Sequence, residues 1–196
     1  MEPRKIPLFP LATVLFPGGV LPLRIFEPRY LSMVGECMRN NCPFGVVLIC
    51  EGQEAGMAAE FHSTGTLAVI EDFNQLEDGH LGLTCRGLQR FGVVSYEVED
   101  DQLVVAKIIE IANEGKIPMT PEYEELSNFV RKLGMNKELD IWFNGLHPDW
   151  DNPEWLSYRL CEILPITMYS RQALLQFQSK QRLDRLRQVM KESQLI

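Results

Sequence analysis

Apolar and polar positions along this chain follow two different rhythms. From Pro7 to about Ile111, short runs rich in Val, Ile, Leu and Phe alternate with Gly, Asp and Asn, the pattern of strands joined by turns. The spacing predicts strands over 13–16, 21–25, 44–50, 66–72, 81–86, 91–99 and 103–111. Pro17-Gly18-Gly19 supplies the first turn, since Pro presets φ and Gly accepts positive φ. One helix interrupts the series: over 29–40, Tyr30, Val34, Cys37 and Met38 share a face. Short connections favour antiparallel pairing in a curled sheet or small barrel over a doubly wound parallel sheet.

Beyond Asn113 the period changes from two to 3.6. Thr120-Pro121 reads as an N-cap followed by Pro at the first helical position, and Leu126, Phe129, Val130 and Leu133 form a stripe that stops before Gly134. Asn152-Pro153 repeats the start signal, with Leu156, Leu160 and Ile163 on one face until Pro165. A third helix is predicted from Ser170 to about Lys191. It is wholly polar between Phe177 and Leu183, so it is expected to pack at one end and to project or find a partner at the other. The fold class is therefore mixed α+β, with a β subdomain over 1–115 and a helical subdomain over 116–196.

Charge narrows the choice of partners. The net charge is −8, and residues 170–196 alone are basic, which leaves about −12 on the first 169. General attraction to nucleic acid or anionic membranes is disfavoured, because it needs clustered Lys and Arg. The five cysteines form no C-x-x-C pair and no cluster with His at zinc spacing, and read as reduced thiols. No apolar run reaches membrane-spanning length, and prolines break the N-terminal segment where a signal peptide needs an apolar helix, so a cytoplasmic location is expected.

Little here carries chemistry. His62, His80 and His147 are scattered, and the carboxylates of 71–72, 97–101 and 124–125 are adjacent in sequence without a set separation in space. No G-x-S-x-G elbow is present. The sole Gly-Lys, Gly115-Lys116, is followed by Ile117 and has Glu110 where a phosphate-binding loop needs its first Gly. No cofactor, no metal and no catalytic residue is expected.

The opening Pro7-Leu-Phe-Pro-Leu11, then Val14-Leu-Phe-Pro-Gly18 and Leu21-Pro-Leu-Arg-Ile-Phe-Glu-Pro-Arg-Tyr30, resembles the start of the LON substrate-binding domain of Lon-type ATP-dependent proteases. The resemblance continues through 44–49, 65–68 and Arg90-Phe91 to Ile163-Leu-Pro-Ile166 and Arg182-Leu-Asp-Arg-Leu186. It implies a PUA-like β pseudo-barrel with an early helix, followed by a C-terminal helical bundle. It also implies polypeptide recognition without the ATPase and Ser-Lys peptidase modules of full Lon proteases, in a free-standing copy of the domain.

Two clusters compete for the binding role. The family-motif residues Phe16, Pro17, Gly18, Arg24, Phe26, Glu27, Pro28, Arg29 and Tyr30 include charges at a strand-to-helix junction, where capping of the helix and satisfying backbone groups is the favoured role. Trp142, Phe143 and Trp150 stand in a stretch expected to be irregular, either as a binding hot spot or as a plug between barrel and bundle. The expected partners are polypeptide clients or a separate protease or ATPase. RNA binding is an alternative prompted by the PUA-like fold and the basic tail, and oligomerisation or an adaptor role through Leu183, Leu186 and Met190 of the C-terminal helix is another.

Overall fold

The computed structural model describes residues 2–112, 117–134 and 145–196. The chain separates into two compact units, Met1–Ala112 and Asn113–Ile196.

The first unit holds six strands and a helix: β1 (Arg4–Leu11), β2 (Val20–Ile25), α1 (Pro28–Asn40), β3 (Phe44–Glu51), β4 (Glu60–Gln75), β5 (Leu81–Val98) and β6 (Val104–Glu110). Their order is β2-β5-β4-β3-β1-β6, and a further pairing of β5 with β6 closes the sheet into a barrel that leaves β2 as a flap on β5. Every pairing is antiparallel except β1 with β3, which are joined through β2 and α1. Closure depends on the length of β5. Its first half pairs with β4 and β2, and from Phe91 to Val98 it pairs with β6. The strands expected over 81–86 and 91–99 are thus one. The Gly87-Leu88-Gln89 segment between them is a bulge and not a turn, because β4 shifts register between Thr66 and Ala68 opposite it.

The strand expected over 13–16 is irregular, and β1 lies ahead of it at Arg4–Leu11. Pro7 and Pro10 hid it, since a proline argues against an interior strand. Staggered pairing resolves the conflict: Arg4–Leu8 pairs with β6 and Leu8–Leu11 with β3. Each proline therefore stands in a half-strand with a single neighbour, which leaves an open side for the missing N–H.

The barrel wall is buried on both faces. Ile6 and Leu8 enter an inner cluster with Val47, Leu67, Phe91 and Ile108, while Phe9 and Leu11 face an outer cluster with Met33, Val34, Cys37, Phe44 and Ala68. The two-residue period of β1 sorts them. α1 covers the outer cluster with Tyr30, Met33, Val34 and Cys37, whereas Met38, expected on that face, is exposed.

The second unit contains α2 (Pro121–Gly134), α3 (Pro153–Ile163), α4 (Met168–Gln176) and α5 (Ser179–Glu192) among the described residues. Asn152 caps α3, its side chain accepting from the amides of Glu154 and Trp155 at 3.0 and 3.3 Å. The single helix expected over 170–191 is broken at Phe177–Gln178, where both residues are extended. In its polar middle Gln178, Lys180 and Gln181 face water, but Ser179 and Arg182 do not. Arg182 is fully buried, donating from Nε to Ser157 Oγ (2.8 Å), from Nη1 to the carbonyls of Phe177 (2.9 Å) and Leu174 (3.3 Å), and from Nη2 to Ser179 Oγ (3.3 Å). Its guanidinium lies 3.9 Å from the Tyr158 ring centre. The guanidinium thereby adds a charged donor at the end of α4, where the Leu174 carbonyl also accepts from the Phe177 amide at 3.3 Å. Leu183, Leu186 and Met190, considered as a contact between chains, are buried within this unit.

Glu162 adds a pH dependence to the helical unit. It accepts from Arg159 Nη2 at 2.9 Å, yet burial pushes its carboxyl from 4.5 up to about 7, against the pull of Arg159 and Arg171. A raised folded-state value means that the folded chain holds this proton more tightly than the unfolded one does. The stabilisation is complete below about pH 4.5 and is lost as pH rises through about 7. Between pH 4.5 and pH 8 the wild type should lose about 2 kcal/mol relative to Glu162→Gln, measured by urea unfolding of both chains across that range. Parallel curves would remove Glu162 as the cause.

Candidate functional site

The family-motif residues fall into three local structures within the first unit. Phe16-Pro17-Gly18 forms a turn pinned to β5: Gly18, at φ 74°, donates to Gly87 O at 2.7 Å, and Gly87 donates to Gly19 O at 2.9 Å. Phe16 is buried, and Thr66 Oγ1 secures the neighbouring Leu15 carbonyl at 2.6 Å. This motif builds the connection into β2.

Glu27 occupies the N-cap of α1, but its side chain does not cap the helix. The carboxylate instead accepts from the Gly56 amide at 3.2 Å and pairs with the buried Arg29 guanidinium at 3.0 Å. Arg29 Nη1 in turn donates to Gln102 O at 2.9 Å, and its guanidinium lies 4.5 Å from the Tyr30 ring centre. The pair therefore anchors loops around α1 rather than the helix end itself, which corrects the capping role expected for Glu27. Pro28 stands at the first helical position, where its missing N–H costs nothing.

Arg24 and Phe26 point elsewhere. Arg24 Nη2 donates to His80 Nδ1 at 2.9 Å and pairs with Asp78. The His80 amide, bonded to Asp78, leads the influences that hold that carboxyl below its ordinary range. Phe26 is 54% exposed, with its ring edge-on to His80 at 5.8 Å.

Of the motif residues, Arg24, Phe26, Glu27 and Tyr30 meet at a cleft of about 320 Å³, to which Phe9, Leu11, Leu21 and Leu23 add apolar lining and Thr13 and Glu54 polar lining. Phe16, Pro17, Gly18, Pro28 and Arg29 do not line it. Glu54 Oε1 accepts from the Ala12 amide at 2.6 Å, tying the 52–59 segment to the end of β1. One wall is β2, whose sole strand neighbour among the described residues is β5. With the Gly19–Gly87 bond setting the phase and Val20 opposite Arg86, the backbone groups of Leu21, Leu23 and Ile25 face β5. Those of Val20, Pro22 and Arg24 then face the open edge. Pro22 fits that parity, since a strand proline keeps its donorless nitrogen away from the ladder.

Phe9, Leu11, Leu21, Leu23 and Glu54 were not singled out from the sequence. Pro22 within an apolar strand was the available signal, because it marks an edge. Trp142 and Phe143 lie outside the described residues. Trp150 stacks edge-on against Trp155 at 5.4 Å with Arg131 5.0 Å from its ring centre, within the second unit. That unit also carries a wider depression of about 650 Å³, lined mainly by polar groups such as Glu122, Glu125, Lys132 and Arg187. No group of three or more His, Cys, Asp or Glu among the described residues could hold a metal ion, and no described helix is long and apolar enough to cross a membrane.

A closed β-barrel with a covering helix, followed by a helical unit, is a fold shared with solved Lon N-terminal domains. The chain belongs to that family: the model for the ATP-dependent protease La (LON) substrate-binding domain matches residues 5–192. The Lon N-terminal domain protein from Xanthomonas campestris is 34% identical, with a TM-score of 0.77 over 93% of this chain and 96% of that one. The N-terminal domain of the Mycobacterium avium complex Lon protease shares the fold, with a TM-score of 0.66 at 15% identity. Lon protease of Anaeromyxobacter dehalogenans is 29% identical over 133 residues, which are 67% of this chain and 16% of that protein. Protein cereblon of Gallus gallus is 24% identical over 156 residues, 79% of this chain and 34% of its own length. The chain thus spans well under half of these curated relatives.

Proposed function

We propose that this chain is a non-catalytic, cytoplasmic recognition module that binds unfolded or degron-bearing polypeptide segments. The observation that carries the reading is the cleft beside β2, which joins an apolar floor to a strand edge with backbone groups turned outward. An extended segment satisfies such an edge with its own main chain and places alternate side chains on the floor, so recognition tolerates many sequences. Ordering a disordered segment on binding costs free energy, and dissociation constants in the micromolar range follow. The clients arrive through this edge, and a separate protease or ATPase would take them onward.

The test is the anisotropy of a labelled, permanently unfolded client, with a folded protein and a single-stranded RNA as controls and ATP turnover and client integrity followed in parallel. Binding of the unfolded client alone, without turnover or cleavage, is the expected result. Phe26→Glu places a charge at the cleft on a side chain that is already half exposed, and should weaken capture about tenfold or more while leaving the thermal midpoint unchanged. A wild type that captures no unfolded client overturns the reading, and an RNA shift in its place favours the nucleic-acid alternative.

A further inference from the structure

The C-terminal end of α1 brings two sulfurs together. The amide of Cys42 donates to the carbonyl of Cys37 at 3.1 Å, with Asn41 between them in the left-handed region at φ 49°. A bond from the sixth residue back to the first is the Schellman closure, and it sets the side chains at its two ends against each other, ordinarily as an apolar contact. Here both ends are cysteines. The covalent lengths flanking the bond keep the two Cα atoms within about 7 Å, at or inside the span of a disulfide. Both thiols line a cleft of about 180 Å³ together with Met38, Ile70 and Phe73. Cys37 is buried and Cys42 half-buried, so reagents reach Cys42 first.

We propose that Cys37 and Cys42 form a modification site, a dithiol held ready by the fold, which a small disulfide such as oxidised glutathione converts into an intramolecular bridge. Cys42 gives up its proton and attacks one sulfur of the small disulfide. That S–S bond breaks, and one small thiol leaves carrying the proton. Cys37 then loses its proton and attacks the Cys42 sulfur, and the second small thiol departs with that proton. Two protein thiols are oxidised, and one small disulfide is reduced to two thiols. Burial pushes the Cys37 thiol up to about 12, which keeps its thiolate scarce and the second step slow. The same feature makes Cys37 a poor leaving group when an external thiol attacks, so the bridge is long-lived once formed. Oxidation at this position is a persistent mark on the chain rather than a rapid exchange.

The test incubates the full chain with oxidised glutathione at mildly alkaline pH, quenches with acid, and maps peptides by mass spectrometry using a protease that separates Cys42 from the exposed Cys50. A peptide pair linked through Cys37 and Cys42, lighter by two hydrogens than its separate halves, is the expected result. Cys37→Ala should stop at a glutathione adduct on Cys42, and Cys42→Ser should leave Cys37 unmodified. In concentrated urea the wild type should scramble its links among all five cysteines, which shows that the fold selects the pair. A stable glutathione adduct on wild-type Cys42 overturns the proposal, as do two free thiols at 37 and 42 when Cys50 has reacted.

Discussion

The Gly65→Ala chain is expected to unfold about 6–12 °C below the wild type, a loss of about 3 kcal/mol. A Cβ on Gly65 would stand 2.3 Å from the Val46 carbonyl oxygen, 2.7 Å from Val47 Cγ1 and 2.8 Å from Phe91 Cζ. The first of these neighbours is backbone in the ladder between β3 and β4, where Gly65 lies opposite Val47, and it has nowhere to yield. Phe91 is no freer, since it is fully buried in the inner cluster of the barrel. A single methyl must therefore push the paired strands apart or drive the ring into its neighbours, and close-packed interiors resist both. Gly92→Ala is the matched control. It lies opposite Thr64 on the adjacent ladder between β4 and β5, but a Cβ there meets nothing within 4 Å, so a midpoint equal to or slightly above the wild type is expected. Calorimetric scans of the three chains decide the matter. Equal losses at both positions would mean that general glycine loss, and not the close approach, sets the cost.

The second large effect lies in the helical unit. Arg182→Met removes the guanidinium that joins Ser157, Ser179 and the carbonyls of Leu174 and Phe177, while roughly conserving the volume. Two carbonyls at the end of α4 then lose a charged donor in a buried setting, and a cost of about 3 kcal/mol is expected. Arg182→Lys should recover little of it, because an ammonium is a point charge and cannot reproduce the planar fork that serves four acceptors. Urea unfolding followed through the fluorescence of Trp150 and Trp155, which stack on each other in this unit, reports the change. A Met chain as stable as the wild type would show that the break between α4 and α5 is set by backbone preference alone.

These two positions also show where sequence reasoning succeeds and where it stops. The change of period near residue 113 separates barrel from helices, and the signals at Asn152-Pro153 and Thr120-Pro121 place two helix starts, because each feature is local. The barrel's closure is not local. It depends on β5 running on through Gly87-Leu88-Gln89, which reads as a gap between two strands until its pairing with β4 shows a bulge. Likewise Arg182 reads as one of six basic residues in a solvated tail, and only its burial separates it from Lys180 and Arg185. The candidate cleft was half visible. Arg24, Phe26, Glu27 and Tyr30 belong to the motif that identifies the family, but Phe9 and Leu11 join them from a strand concealed by its prolines, and Glu54 joins from a loop with no distinguishing pattern.

The divided pairing of β1 also bears on the order of events in folding. Its second half finds β3 within about forty residues, but its first half pairs with β6, roughly a hundred residues further along. During synthesis Ile6 and Leu8 emerge almost at once, yet the inner cluster they complete lacks Val104, Ala106 and Ile108 until nearly the whole first unit has been made. Such distant closures slow folding, because chain entropy is lost before the contact repays it. A domain proposed to receive the unfolded segments of other proteins thus spends its own early life with an apolar strand waiting for its last neighbour.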